Sequence, residues 1–262
     1  MGLSISGASF QALFSNPLAT PDTLGVATGA SFGAVLALLF TRNVFVVQLA
    51  ALAMGLAALA GTCMISRLNG KSSILMVVLG GMVVSSLFQA LVSLVKYVAD
   101  PDEDLPAITY WLMGSMSRAT YQGLAVGIPL ILLGVALLFL LRWRLNILSL
   151  QEDETRALGI DVRKLRIMVM AASTLVTASC VSLCGQVGWV GLLIPHVARM
   201  LYGSDNRKII PVSMGLGSAF MVVIDTASRA ATAAEIPVSI LTAIIGAPFF
   251  IILLRRTGGA RL

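Results

Sequence analysis

The chain has 262 residues, 58% of them hydrophobic and only 11% charged, with a mean hydropathy of +0.94. A soluble domain carries about 25% charged residues, so this balance excludes an ordinary water-soluble enzyme and marks a multi-span membrane protein. The net charge of +6 does not point to nucleic acid. Most lysines and arginines gather in short turns between apolar runs, where they set topology.

Residues 2–14 (GLSISGASFQALF) are apolar and helical in composition but too short to span, as though the chain begins partway through a helix. Met1 is followed by Gly-Leu-Ser, without the basic start of a cleavable signal. SNPLATPDTLG then breaks the pattern with two prolines. Spans are expected at residues 24–40, 44–66 and 74–97, with a basic turn from Arg67 to Lys71 before the third. Residues 99–123 open acidic, at Asp100, Asp102, Glu103 and Asp104, and belong outside. Further spans follow at 124–143 and 167–185. Residues 186–202 carry Gly188, Gly191 and Pro195, too interrupted for a plain span, and predict a discontinuous helix held inside protein. The turn GSDNRK, a span at 209–224, the external turn RAATAAEIP and a last span at 236–254 complete the chain, with Arg255 and Arg256 cytoplasmic.

The longest polar connection, residues 148–166, is held between two runs of about twenty apolar residues, so it must face water. Its basic flanks, Arg142, Arg144, Arg163, Lys164 and Arg166, place it on the cytoplasmic side. Asp225 and Arg229 are four apart and share a helix face, where they can pair. Cys180 and Cys184 also share a face, but two thiols without a histidine or carboxylate read as small packing residues. The lone histidine, His196, reads as structural for the same reason. There is no GxxxxGK[ST], no HExxH and no serine elbow, so any energy for moving a solute comes from a gradient or from another subunit.

ETRALGIDVRKLR, GQVGWVGLLIPHVARMLYGSDNRKIIP, DTASR and EIPVSILTAIIGAPFF, with SGASFQALFSNPLATPDTLGVATGASFG and YWLMGSMS earlier, resemble the FecCD-like permeases. These are the membrane subunits of ABC importers for iron-siderophores, haem and cobalamin. The likeness covers nearly the whole chain in the right order. It implies an all-α bundle of the ten-helix type II kind, forming one transmembrane permease domain over residues 1–262. A first helix and a basic external stretch of the family have no counterpart before residue 2, so an upstream segment is expected.

The same resemblance implies the roles. Glu152, Asp153, Glu154, Arg156, Ala157, Leu158, Gly159 and Arg163 would form the cytoplasmic segment that seats in an ATPase. Asn16, Pro17 and Leu18 match a cytoplasmic gate, and Ser72 and Ser73, after Lys71, match a second gate element more loosely. Arg229, with Asp225, would meet a periplasmic or lipid-anchored substrate-binding protein. Implied partners are an ABC ATPase, that binding protein, a second permease copy or a similar permease, and lipid. No nucleic acid and no metal site is implied, and ATP would be the partner's cofactor. The chain would work in the cytoplasmic (inner) membrane and hydrolyse nothing itself. Two other readings stay open from the residues alone: a secondary transporter, or a non-transporting partner subunit that lacks the first helix.

Overall fold

The computed structural model describes residues 1–66, 74–117, 119–149, 161–232 and 234–257. They form ten α-helices and no strand: α1 Gly2–Leu13, α2 Val26–Leu38, α3 Val44–Ser66, α4 Ile74–Val98, α5 Asp104–Leu112, α6 Tyr121–Leu145, α7 Val162–Cys184, α8 Val190–Tyr202, α9 Asn206–Ala230 and α10 Val238–Thr257. Two 3-10 turns, Pro21–Leu24 and Asn146–Ser149, join α1 to α2 and close α6. Five helices, α3, α4, α6, α7 and α9, are long and apolar enough to cross a bilayer. The chain is thus an all-α, multi-pass membrane protein. Each run expected to be helical forms a helix. The short α5, inside the acidic region, is an addition to that list.

The helices fall into two compact units. The first holds Met1–Thr20, Val135–Ser173 and Val187–Leu262. Its centre is α1, where every residue but Leu3 is buried, including Ser4, Ser6 and Ser9 at 0% exposure. Small residues bring its backbone against α8 and α9: a Cβ on Gly7 would lie 1.8 Å from Gly191 O, and one on Gly217 would meet the Ser4 side chain. This is how helices associate where lipid supplies no hydrophobic drive, through small faces and close backbones.

The interruption expected before residue 202 lies at Trp189, whose φ of 69° is left-handed, immediately ahead of α8. That conformation costs a non-glycine residue about 1–3 kcal/mol. Packing compensates it, since the indole lies on Gly246 of α10 and its ring meets Phe250 at 6.5 Å.

The second unit holds Pro21–Gly134 and Thr174–Gln186. Here α2 lies along α3, and their alanines, Ala27, Ala30, Ala34 and Ala51, pack with Val47, Ala178 and Val181. At one end Arg42 pairs with Asp104 at 2.9 Å, which ties the α2–α3 turn to the start of α5.

Candidate functional site: the basic end of the first unit

In the first unit the polar connections converge on one end. The helix α6 closes there with Arg142 and Arg144 in its last turn, where cations complement the exposed carbonyls. Arg142 donates to Phe139 O at 2.7 Å and lies 3.9 Å over the Phe139 ring. Beyond it, Asn146 spans two elements. Its Nδ2 donates to Asp205 Oδ1, and its Oδ1 accepts the Asn206 N–H, both at 2.8 Å. Asp205 in turn caps α9 by accepting the Arg207 N–H at 3.0 Å. The Asn146 amide, then the Arg207 N–H, hold the Asp205 carboxyl below its ordinary range. Arg207 also stacks 3.7 Å over Trp143. The ends of α6 and α9, about sixty residues apart in sequence, are thereby locked together.

The exit of α1 belongs to the same end, since α1 also packs against the 146–149 turn. Asn16 shapes that exit: its Oδ1 accepts the Leu18 N–H at 2.9 Å, its own N–H donates to Gln11 O, and its carbonyl accepts the Ala19 N–H. Asn16 and Leu18 are exposed and Pro17 is half-buried. One turn deeper, Gln11 links α1 to α8: Arg199 Nε donates to its Oε1 at 3.2 Å, and its Nε2 donates to Leu192 O at 3.5 Å.

Arg163 stands exposed in the first turn of α7. That helix is started by Asp161, which accepts the Lys164 N–H at 3.0 Å and pairs with its ammonium at 3.4 Å. The Lys164 N–H is the chief cause of the lowered Asp161 pKa. Glu152, Asp153, Glu154, Arg156, Ala157, Leu158 and Gly159 lie outside the described residues, as do Lys71, Ser72 and Ser73. The structure therefore describes both flanks of the expected coupling segment.

At the far end of α9, twenty-five residues or about 37 Å away, Arg229 Nε meets Asp225 Oδ2 at 3.0 Å. Ser228 braces the following turn through its Oγ to Ile236 O. The expected pair thus forms, half-exposed, at the opposite end from Asp205. His196 packs on the Phe250 ring at 6.4 Å. Among the described residues no group of three His, Cys, Asp or Glu converges as for a metal.

The Asn146 clamp, the Trp143–Arg207 stack and the Gln11–Arg199 link have no sequence signature. Each joins residues about 60 or more positions apart, and only the fold brings them together.

The model of the FecCD transport family matches residues 1–256. The chain belongs to that family. It is 41% identical to the molybdate import system permease protein of Haemophilus influenzae, over 97% of this chain and 76% of that protein. It is 39% identical to the cobalamin import system permease protein of Halobacterium salinarum, over 97% of this chain and 68% of the relative. A probable iron chelatin transport permease of Helicobacter pylori matches at 38%, over 98% and 78%. Among solved structures, an inward-facing metal-chelate type ABC transporter aligns with a TM-score of 0.92 at 41% identity, covering 97% of this FecCD chain and 82% of the other.

Proposed function

We propose that this FecCD chain is the permease subunit of an ATP-driven importer of a metal chelate in the cytoplasmic membrane. It pairs with a second copy or a similar permease, takes its energy from an ABC ATPase that binds the ATP, and receives cargo from a substrate-binding protein. The chain itself hydrolyses nothing. The observation that carries this reading, beside family membership, is the basic end of the first unit. A clamp of hydrogen bonds holds the ends of α6 and α9 together, with α1 packed against the 146–149 turn, at the root of the polar segment. Such an anchored root transmits force from a soluble partner, whereas a plain solvated loop needs no anchor.

In this reading residues 152–159 with Arg163 seat in the ATPase, and Asn16–Leu18 with Ser72 and Ser73 gate the cytoplasmic mouth. The Asp225–Arg229 end, 37 Å of helix away (about 1.5 Å per residue), meets the binding protein. The named cargoes of the relatives, molybdate, cobalamin and iron chelatin, support a metal-containing cargo.

Ala157→Arg puts a bulky charge into the segment and leaves every described helix untouched. Normal membrane insertion is expected, with loss of ATPase co-purification and of stimulated ATP hydrolysis in lipid. Wild-type levels of both would reduce residues 152–159 to a connection. A wild-type chain that binds no ABC ATPase, and moves solute on an ion gradient instead, would overturn the reading altogether.

A further inference from the structure

In the second unit the Pro21–Leu24 turn, which carries Asp22, lies against the membrane-crossing stretch of α4. Ser85 Oγ donates to Asp22 O at 3.3 Å, and Thr62 Oγ1 donates to Leu24 O at 2.9 Å. A Cβ on Gly81 would lie 2.0 Å from Thr23 O, so the turn is pressed directly onto α4. Ser85 is the twelfth of the twenty-five residues of α4. About 17 Å of helix extends to one side of it and about 20 Å to the other. Asp22 is exposed and makes no ion pair with any described residue.

The neighbouring flank of α4 carries polar residues as well. At about 100° per residue, Gln89, Ser93 and Ser86 fall within roughly 60° of one another, beside Ser85. All three are exposed. The serines satisfy themselves on their own helix, Ser86 to Met82 O and Ser93 to Gln89 O. Gln89 has no described partner for its amide. Exposed Met82 lies among them, with Leu75, Leu79 and Tyr97 towards the helix ends, whereas Val83, Leu87, Leu94 and Val98 are exposed on the opposite flank. The open face of α4 is therefore apolar along one flank and mixed along the other, where Ser86, Gln89 and Ser93 gather around Met82.

An unpaired carboxylate, irregular backbone and an unpartnered amide at one depth are each costly in hydrocarbon, and are tolerated where they line water. We propose that the 21–24 turn and the mixed flank of α4 form a wet wall of the cargo path, and that Asp22 gives this wall a negative potential favouring neutral or cationic chelates over oxyanions. The proposal deepens the permease reading above and rests on it.

The test uses the chain assembled with its ATPase in proteoliposomes, with Cys63, Cys180 and Cys184 replaced. Gln89→Cys serves as reporter and Leu94→Cys as the control on the apolar flank. Rates of modification by a cationic and an anionic methanethiosulfonate (a sulfonate) are compared with Asp22 present and in Asp22→Asn. Gln89→Cys should react far faster than Leu94→Cys, and faster with the cation. Asp22→Asn should lower the cation-to-anion rate ratio several-fold, the effect of removing one nearby charge from a wet, partly screened site.

A Gln89→Cys no more reactive than Leu94→Cys would mean that lipid or protein covers the flank, and would overturn the proposal. So would a ratio unchanged by Asp22→Asn. Co-purified ATPase in the same samples tests the permease reading independently, so the two failures are distinguishable.

Discussion

The contact between α1 and α8 makes a sharp prediction about stability. A Cβ on Gly7 would sit 1.8 Å from Gly191 O, 2.6 Å from its carbonyl carbon and 2.7 Å from its Cα. Ordinary contact begins near 3.4 Å, so Gly7→Ala forces the two helices apart by about 1.6 Å unless a rotation relieves it. Overpacking a core costs about 1–3 kcal/mol when side chains can adjust. Here the obstacle is backbone, so the cost is expected at about 3 kcal/mol or more. The movement also strains the Gln11–Arg199 bond, because Gln11 lies one turn from Gly7 on the same face. Gly215 in α9 is the control: nothing lies within 4 Å of its Cβ position. Gly215→Ala should therefore be neutral or gain about 0.5–1 kcal/mol from reduced chain entropy. Thermal unfolding of both variants in the same lipid nanodiscs should separate them by roughly 8–15 °C, at about 2–4 °C per kcal/mol for a chain of this size. Melting temperatures within a degree or two of each other would show that α1 and α8 do not meet through their glycines.

Two further outcomes are expected. Asn146→Ala removes both bonds of the clamp, so the Asp205 pKa should rise towards its ordinary value. A depressed carboxyl stabilises above its unfolded pKa of about 3.9 and loses that contribution as pH falls through the folded value. The variant should thus be less stable than the wild type near neutral pH and lose less on acidification, the two profiles converging as pH falls below about 4, and superimposable pH profiles would refute the clamp. Arg229→Glu breaks an ion pair with Asp225 whose arginine is 47% exposed, so stability should change by no more than about 1 kcal/mol. Docking of the binding protein at low salt should weaken markedly, and unchanged affinity in folded protein would remove Arg229 from that surface.

The fold was largely legible because bilayer length and charge placement constrain each span separately. The break ahead of α8 could be read from Gly188, whereas Gly191 and Pro195, expected to interrupt as well, lie inside the continuous helix Val190–Tyr202; the Asp225–Arg229 pair could be read from its spacing alone. The α5 helix was not legible, because nine residues beside four carboxylates carry little periodic signal. Asn146 was hidden for a different reason. An asparagine ending an apolar run looks like any polar stop, and its partners at Asp205 and Asn206 are supplied by the return of α9. Asp22 looked like part of a proline-marked break. Only the Ser85 and Thr62 bonds reveal that this break lies at membrane depth.

Polar residues in a membrane chain admit two opposite explanations, and exposure decides between them. Ser4, Ser6 and Ser9 on α1 are fully buried; Ser4 lies on the Gly7 side, against Gly217 of α9, and Ser6 turns to α7, where it bonds to Ser173 O. Their polarity is secondary to their size, because helix association in lipid depends on close backbones. Ser86, Gln89 and Ser93 on α4 are exposed, so no close approach within this chain explains them. Size does not account for Gln89 either, since a leucine of similar bulk would suit lipid better. What remains is a surface that needs hydrogen-bonding capacity at mid-depth, next to a carboxylate that no described cation neutralises. The two sets are both serine-rich, yet substitution separates them. Serine to alanine should be tolerated on α1, where volume is kept. On α4 the informative change is glutamine to leucine, which keeps bulk and removes only the affinity for water.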